Sequence, residues 1–512
     1  MSARPNILLL MADQLAAAHL PAYGNAVVQA PRLSALAREG VVFESAYCAS
    51  PLCSPSRFAL LSGRRPSSIG AYDNAAELPA GTPTIAHVLR GAGYDTALAG
   101  KMHFVGPDQL HGFEERLTTD VYPSGFDWTP DWRLPEGERL EWYHNTTSLL
   151  SATIAEAALQ TDYDDEVCFR AVQKIRDLSL RPDPQPFFLT VSFTNPHDPW
   201  EIRRRYWELY DEAGIDLPAV GTLPREGADA HSLRLRDMIG LDRSPLSEHQ
   251  VRHARHGYYA AVSYLDERVG EVLDALAATG LARDTLVVFT ADHGELLGER
   301  GLWYKMSFLE GSARVPLIVR GLGLAPRRIA GPVSQLDVAP TLAALAGAPA
   351  EGAGFEGASL AGALAGRAPG PGEAFGEYLA EGVRAPAVMV RRGPHKYVRC
   401  PGDPDLLYDL DDDPRELRNR AEDPGSAELL AAFRAESDER WNLAELERDV
   451  LESQRARRLV ARALARGAYA PWDFQPYSDA SLLYVRSEAA LGARPGRSRP
   501  SGGLPPSDRE AS

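Results

Sequence analysis

Residues 51–63 read PLCSPSRFALLSG. Cys53 is followed by Pro55 two positions on, by Ser56 and Arg57, and then by Leu60-Leu61-Ser62-Gly63. Cysteine is among the residues most often buried, so the plain reading of Cys53 is an inert core thiol. A functional reading requires other chemical groups to be brought to it by the fold.

Apolar, β-rich runs alternate with helical patterns on both sides of this stretch. Ile7–Met11, Tyr94–Leu98, Phe187–Phe193 and Leu286–Thr290 read as strands, with Pro316–Val319 as a further short one. Pro31–Arg38, a segment opened by Thr84–Leu89, and residues 248–279 read as helices. Near-continuous apolar strands separated by helices indicate a mainly parallel sheet covered on both faces. Ligands of such sheets collect beyond the carboxyl ends of the strands. The polar residues fall there. Asp13 and Gln14 follow the first strand, Lys101 and His103 the second, Asn195 and His197 the third, and Asp292 and His293 the fourth.

Composition narrows the field. The chain has 512 residues, 44% apolar and 24% charged, as expected of a globular protein with a large main domain and additions. A formal net charge of −16 argues against a nucleic-acid partner. No apolar run reaches the roughly 18 residues that span a bilayer. Residues 6–12 are too short and too soon followed by Asp13 for a signal peptide, so a cytoplasmic chain without a membrane partner is expected. Cys48, Cys53, Cys168 and Cys400 show no metal or disulfide spacing. Residues 350–373 are rich in Gly, Ala and Pro and mark a boundary. Beyond it, Ala387–Arg391, His395–Val398 and Leu406–Leu410 read as antiparallel strands and about 426–466 as a charged helical region. The expected units are 1–370, 371–466, a tail at 467–490 and a disordered end at 491–512.

The cysteine, proline and arginine of CSPSR, with LLSG, resemble the activation signature of the type I sulfatases. In that family the cysteine is oxidised to an aldehyde, formylglycine, by a formylglycine-generating enzyme. The resemblance implies an alkaline-phosphatase-like α/β sandwich: a large, mostly parallel central sheet flanked by helices, with a smaller C-terminal α+β subdomain holding an antiparallel sheet. It also implies sulfate-ester hydrolysis. The hydrated aldehyde at Cys53 attacks sulfur with one hydroxyl, and the other expels sulfate. Asp13, Gln14, Asp292 and His293, with residue 53, would hold a divalent metal, Ca²⁺ first, with Mg²⁺ or Mn²⁺ as alternatives. Gln14 and His293 depart from the Asp-Asp and Asp-Asn pairs common in the family. Arg57, Lys101, His103, His197 and Lys305 lie in the family-like strings CSPSR, GKMHF, NPHDP and LWYKM. They would hold the sulfate, and His197 or another of these groups would protonate the leaving oxygen.

Several strings are similar to one branch, the choline sulfatases: LMADQ (10–14), AYDNAAELPAG (71–81), FDWTPDW (126–132) and PWDFQPYSDASLLYVR (471–486). A quaternary ammonium head donates no hydrogen bond and calls for aromatic faces and an anion. Trp128 is the expected cation–π wall, with His144 and Asn74 completing the pocket and Glu377 supplying the carboxylate; Glu381 is its alternative. The resemblance further implies a homo-oligomer, a dimer or tetramer, whose tail (Trp472, Asp473, Asp479) enters a neighbouring subunit's pocket or wraps its own. Two other functions stay open: a broad aryl sulfatase or phosphonate monoester hydrolase, and a silent binding protein with an unmodified Cys53. His249, His253 and His256 share a helical face, which could mimic a metal cluster, and read as a polar helix surface. Asp409–Asp413 lacks the glycine and distal glutamate of a calcium loop.

Overall fold

The strand β1, Asn6–Ala12, is fully buried from Ile7 on and lies at the centre of the molecule. The structure, a computed structural model, describes residues 4–134, 144–182, 184–468 and 471–477. The expected disordered end at 491–512 and Asp479 lie outside the described residues.

Among the described residues, fourteen further strands follow in chain order. They are β2 Val41–Tyr47, β3 Asp95–Gly100, β4 Glu115–Arg116, β5 Thr153–Ile154, β6 Phe187–Ser192, β7 Glu201–Ile202, β8 Thr285–Ala291 and β9 Arg314–Arg320. After these come β10 Arg327–Ile329, β11 Val333–Ser334, β12 Glu373–Tyr378, β13 Ala387–Arg392, β14 His395–Arg399 and β15 Leu406–Asp409. The central sheet runs β10-β2-β9-β8-β1-β6-β3-β4, with β11 also on β2; β5 and β7 pair separately. From β8 across to β4 every pairing is parallel, whereas β9 runs antiparallel to both β2 and β8. The mostly parallel sheet expected from the apolar runs is therefore present, with one reversed strand inside it.

Parallel strands buried on both faces can be apolar throughout. NILLLMA, FFLTVS and TLVVFTA show this: β6 and β8 are buried at every position. Their order β8-β1-β6-β3 puts four carboxyl ends side by side. The residues that follow these strands, namely Asp292-His293, Asp13-Gln14, Asn195 to His197, and Lys101 to His103, are thus neighbours although far apart in sequence.

Two helices matter most for the site. Cys53–Ser62 is buried at all ten positions and ends at Gly63, whose positive φ of 61° closes the last turn. Glu248–Ala278 starts with a capping box between Ser247 and Gln250. It packs on the helices Pro31–Glu39 and Leu159–Ser179. Past residue 370, β12-β13-β14-β15 form an antiparallel sheet with the helices Ala427–Arg440 and Leu443–Leu464. Its apolar residues join the main core rather than forming a separate one. No described helix is long and apolar enough to cross a membrane.

Gly100 ends β3 directly before Lys101, with φ at 102°, and a Cβ there would sit 1.9 Å from the Ser192 carbonyl oxygen. That backbone cannot retreat without moving β6. We expect Gly100→Ala to lower stability by about 2–4 kcal/mol, read from denaturant midpoints. An unchanged midpoint would show that the strand end relaxes freely.

Candidate active site

The four strand ends surround the first turn of the helix Cys53–Ser62. Leu52, extended, leads the chain into that turn. The N–H of Ser54 is satisfied by Asn74 Oδ1 at 3.0 Å. Asn74 thus secures the turn that carries Cys53.

Donor atoms of Asp13, Cys53, Asp292 and His293 all lie within 4.8 Å of one another, and all four residues are buried. Cys53 Sγ is 3.2 Å from His293 Nε2 and 3.9 Å from Asp13 Oδ1. His293 Nδ1 is 3.0 Å from the Gly294 carbonyl, which can only accept. The ring hydrogen therefore sits on Nδ1, and Nε2 offers its lone pair to the cluster. An imidazole held from behind by a carbonyl is how metal-ligating histidines are oriented. Two carboxylates, an imidazole and an oxygen-bearing residue 53 fit a divalent cation. Burial, followed by Lys101 and Arg57, keeps the imidazole of His103 down at about 3; burial first, then Lys305, lowers His293 to about 4. Burial and then Asp13 push the Cys53 thiol up to about 11, so an unmodified thiol here is a poor nucleophile at neutral pH.

Arg57, one helical turn on, clamps the two carboxylates. Its Nε donates to Asp292 Oδ2 at 2.8 Å and one Nη to Asp13 Oδ2 at 2.9 Å, while the other reaches the Lys101 carbonyl and Ser192 Oγ. Four of its five N–H bonds are thus spent on protein, and the side chain is fully buried. The guanidinium thus holds the carboxylates, with one N–H left beyond these four bonds. Lys101 pairs with Asp13 as well and lies 4.6 Å over the Tyr122 ring. Burial drives the Asp13 carboxyl upward, but Lys101, His197 and Arg57 overcome it and keep it well below the ordinary value.

A second, polar group adjoins the first. Lys305 Nζ donates to Gln14 Oε1 at 2.5 Å and lies 3.1 Å from His197 Nε2. His197 Nδ1 is 2.6 Å from the Asp198 carbonyl, so Nε2 is the acceptor facing the ammonium. Burial, then Lys305, keeps His197 well below its ordinary value. Gln14, at φ 64°, sends its amide nitrogen to Glu295 Oε2 at 2.6 Å and Asp198 Oδ1 at 3.2 Å. The amide thus lies between Lys305 and two carboxylates. Burial raises both of these, Glu295 to about 7. Asp198, Glu295 and Tyr122 were not singled out in the sequence, although the first two stand inside NPHDP and TADHGE.

His103, at φ 63°, bonds Ser124 through Nε2, and its ring meets Trp128 edge-on at 5.9 Å. Its Nδ1 has no hydrogen-bond partner among the described residues. His144 lies 4.6 Å from Tyr304 and 6.2 Å from His197, ring to ring. Trp128, half-buried, closes the short turn Phe126–Trp128, and Trp472 of the tail packs on Phe126 at 5.1 Å. Glu377 is a correction. Its Oε2 accepts from the Ser67 N–H at 2.7 Å, and its Oε1 from Ser67 Oγ at 2.7 Å and Trp441 Nε1 at 2.6 Å. Both oxygens are engaged in joining β12 to the helix region around Trp441. Glu381 stands beside Gly382, whose carbonyl shares the His231 ring with that of Met306, next to Lys305.

The chain matches the family model described as Sulfatase over residues 5–348, and that described as Choline sulfatase enzyme C terminal over residues 448–499. It is 48% identical over 497 residues to the choline-sulfatase of Rhizobium meliloti (strain 1021), covering 95% of this chain and 97% of that one. It is 32% identical over 346 residues to the iduronate 2-sulfatase of Mus musculus, across 61% of this chain and 59% of that one. The solved phosphonate monoester hydrolase of Agrobacterium radiobacter aligns with a TM-score of 0.69 at 26% identity, over 88% of this chain and 96% of that one.

Removing Arg57 leaves Asp13 and Asp292 buried without their shared partner. Arg57→Met is expected to cost about 3–5 kcal/mol in metal-free protein, measured by urea unfolding. A loss below about 1 kcal/mol would mean that Lys101 alone suffices.

Proposed function

The chain belongs to the sulfatase family and is a sulfuric ester hydrolase; we propose that its substrate is choline O-sulfate, cleaved to choline and sulfate. The observation that carries this reading is the buried set Asp13, Cys53, Asp292 and His293 with Lys101, His197 and Lys305 around it. A high-identity relative named choline-sulfatase and the C-terminal match support the substrate.

In this reading a formylglycine-generating enzyme converts Cys53 to formylglycine, whose hydrate supplies the nucleophile. Asp13, Asp292, His293 and residue 53 hold a divalent ion, Ca²⁺ by preference, with Mg²⁺ or Mn²⁺ as alternatives. Such an ion lowers the pKa of a bound hydroxyl and polarises a sulfonyl oxygen. Lys101 and His103 face the anion's remaining charge. Lys305 carries the proton for the leaving oxygen, and His197 Nε2 accepts from the same ammonium and keeps it aimed. Asp198 and Glu295 fix Gln14, and Gln14 fixes Lys305.

For the cationic head, Trp128 supplies an aromatic face, and His144, against Tyr304, completes the pocket. Glu381 replaces Glu377 as the anion beside it, because Glu377 is fully engaged elsewhere. Asn74 acts through the turn bearing residue 53. Residues 1–370 form the catalytic unit, 371–466 a buttressing subdomain and 467–490 a tail whose Trp472 packs on Phe126, two residues before Trp128. We further place the enzyme in the cytoplasm as a homo-oligomer, a dimer or tetramer.

The second reading, a broad aryl sulfatase or phosphonate monoester hydrolase, is favoured by the likeness to the Agrobacterium radiobacter enzyme. Turnover of choline sulfate, nitrophenyl sulfate and phenylphosphonate by one preparation separates the two. Choline sulfate must be the best of the three, and parity with the aryl ester would reject it as the substrate.

Cys53→Ala should abolish turnover and leave the thermal melt near that of the parent. In the parent, peptide mass should show the sulfhydryl and one hydrogen replaced by a carbonyl oxygen. Full activity with an intact thiol would overturn the mechanism. Trp128→Ala should weaken choline sulfate hydrolysis relative to aryl sulfate hydrolysis by about 1–2 kcal/mol. Equal losses would make the indole a packing residue.

A further inference from the structure

Lys305 stands between two residues in the left-handed region, Tyr304 at φ 68° and Met306 at φ 73°. Residues other than glycine rarely hold that conformation, and it persists only where neighbouring groups over-determine it. Relaxation of Met306 would turn the peptide plane that it shares with Lys305 and swing the ammonium away from Gln14 and His197. The bonds that prevent this are part of how the ammonium is aimed.

Four bonds hold the two flanking residues. The Tyr304 N–H donates to Glu295 Oε1 at 2.6 Å, and the Tyr304 carbonyl accepts from the Leu296 N–H at 2.7 Å. The Met306 N–H donates to the Pro51 carbonyl at 3.1 Å, two residues before Cys53. The fourth joins the Met306 carbonyl to His231 Nε2 at 2.6 Å. The first three come from the segments that carry His293 and Cys53. His231 comes from elsewhere, the helix Ala230–Ile239.

The base of His231 is itself fixed. Asp229 caps its helix, accepting from the Ser232 N–H at 2.9 Å and from Ser232 Oγ at 2.6 Å, and it pairs with Arg300 at 3.3 Å. A carbonyl only accepts, so Nε2 carries the ring hydrogen in the bond to Met306. Nδ1 lies 3.1 Å from the Gly382 carbonyl, which takes a hydrogen from Arg234 Nε at 3.2 Å. Met306 is fully buried, so its carbonyl, deprived of this donor, is driven to turn toward another.

We propose that His231 is a positioning residue for the reaction. It holds the Met306 carbonyl, Met306 holds the left-handed turn, and the turn aims the Lys305 ammonium at the oxygen that leaves. That role presupposes Lys305 as the proton donor. The imidazole itself touches no reacting atom. Its effect must then scale with how much the leaving oxygen needs a proton: least for nitrophenolate, more for phenolate, most for the choline alkoxide.

The test uses the full-length enzyme with Cys53 converted and Ca²⁺ supplied, and compares kcat on nitrophenyl sulfate, phenyl sulfate and choline sulfate. His231→Leu keeps the bulk and removes the donor. Its kcat should fall about tenfold or more further on choline sulfate than on nitrophenyl sulfate, with phenyl sulfate between them and KM little moved. His231→Gln, whose amide reaches the same carbonyl, should recover most of the loss. Lys305→Met should show the same gradient, about hundredfold or more in extent. Should the leucine variant fail to fold, as read from its melt, His231→Asn, polar but too short to reach Met306, carries the comparison. Equal losses on the three esters in a folded variant would make the ring a packing group and overturn the proposal. A glutamine variant as impaired as the leucine one would do the same. No gradient in Lys305→Met would reject Lys305 as the acid, and with it the role of His231. A gradient there with none at His231 would reject the role of His231 alone.

Discussion

Two carboxylates and one guanidinium, none of them exposed, meet where β1 and β8 end. Asp13 and Asp292 each lie at the carboxyl end of a buried strand, and Arg57 reaches both. Taking a charge out of water costs several kcal/mol per ion even after relaxation. The planar fork of arginine offsets this for both acids at once, which a lysine ammonium at the same position would not. Because Arg57 sits one helical turn beyond Cys53, the pairing also decides where residue 53 must lie. Charge balance, strand order and placement of the reactive residue are therefore one constraint.

The antiparallel sheet after residue 370 serves the same centre from outside. Lys396, on β14, donates to the Phe308 carbonyl at 2.7 Å and to Glu310 Oε1 at 2.9 Å, and it pairs with Glu416 at 2.5 Å. Glu416 Oε2 in turn accepts from the Glu310 N–H at 2.8 Å. These bonds grip the segment that directly follows Lys305. Glu377 on β12 does related work at Ser67, between the helix that carries Cys53 and Asn74. Lys305, without regular secondary structure of its own, thus borrows rigidity from a neighbouring sheet.

Much of this was legible in the chain. NILLLMA, FFLTVS and TLVVFTA declare buried parallel strands, and the polar residues just after them declare the site. The long helix read as 248–279 is Glu248–Ala278. β2 was missed because Glu44 and Ser45 interrupt VVFESAY, where the pairing with β9 also shifts register between Phe43 and Ala46. β12 was missed because Gly376 breaks its pattern. Gln14 and Glu377 show a different limit. Their positions were read correctly, but the direction of a side chain depends on partners such as Lys305, Glu295, Ser67 and Trp441, which the sequence does not place beside them.

The order of strands across the sheet also carries a message about the ribosome. β8 lies between β1 and β9, yet it is made after every other strand of the parallel half. While the growing chain still lacks Asp292, Arg57 has only one of its two acidic neighbours, and β1 has one bare edge. Most of the polypeptide must therefore be out of the exit tunnel before the region around residue 53 can close. Over that interval the cysteine is presented on an open nascent chain, and afterwards it is sealed inside.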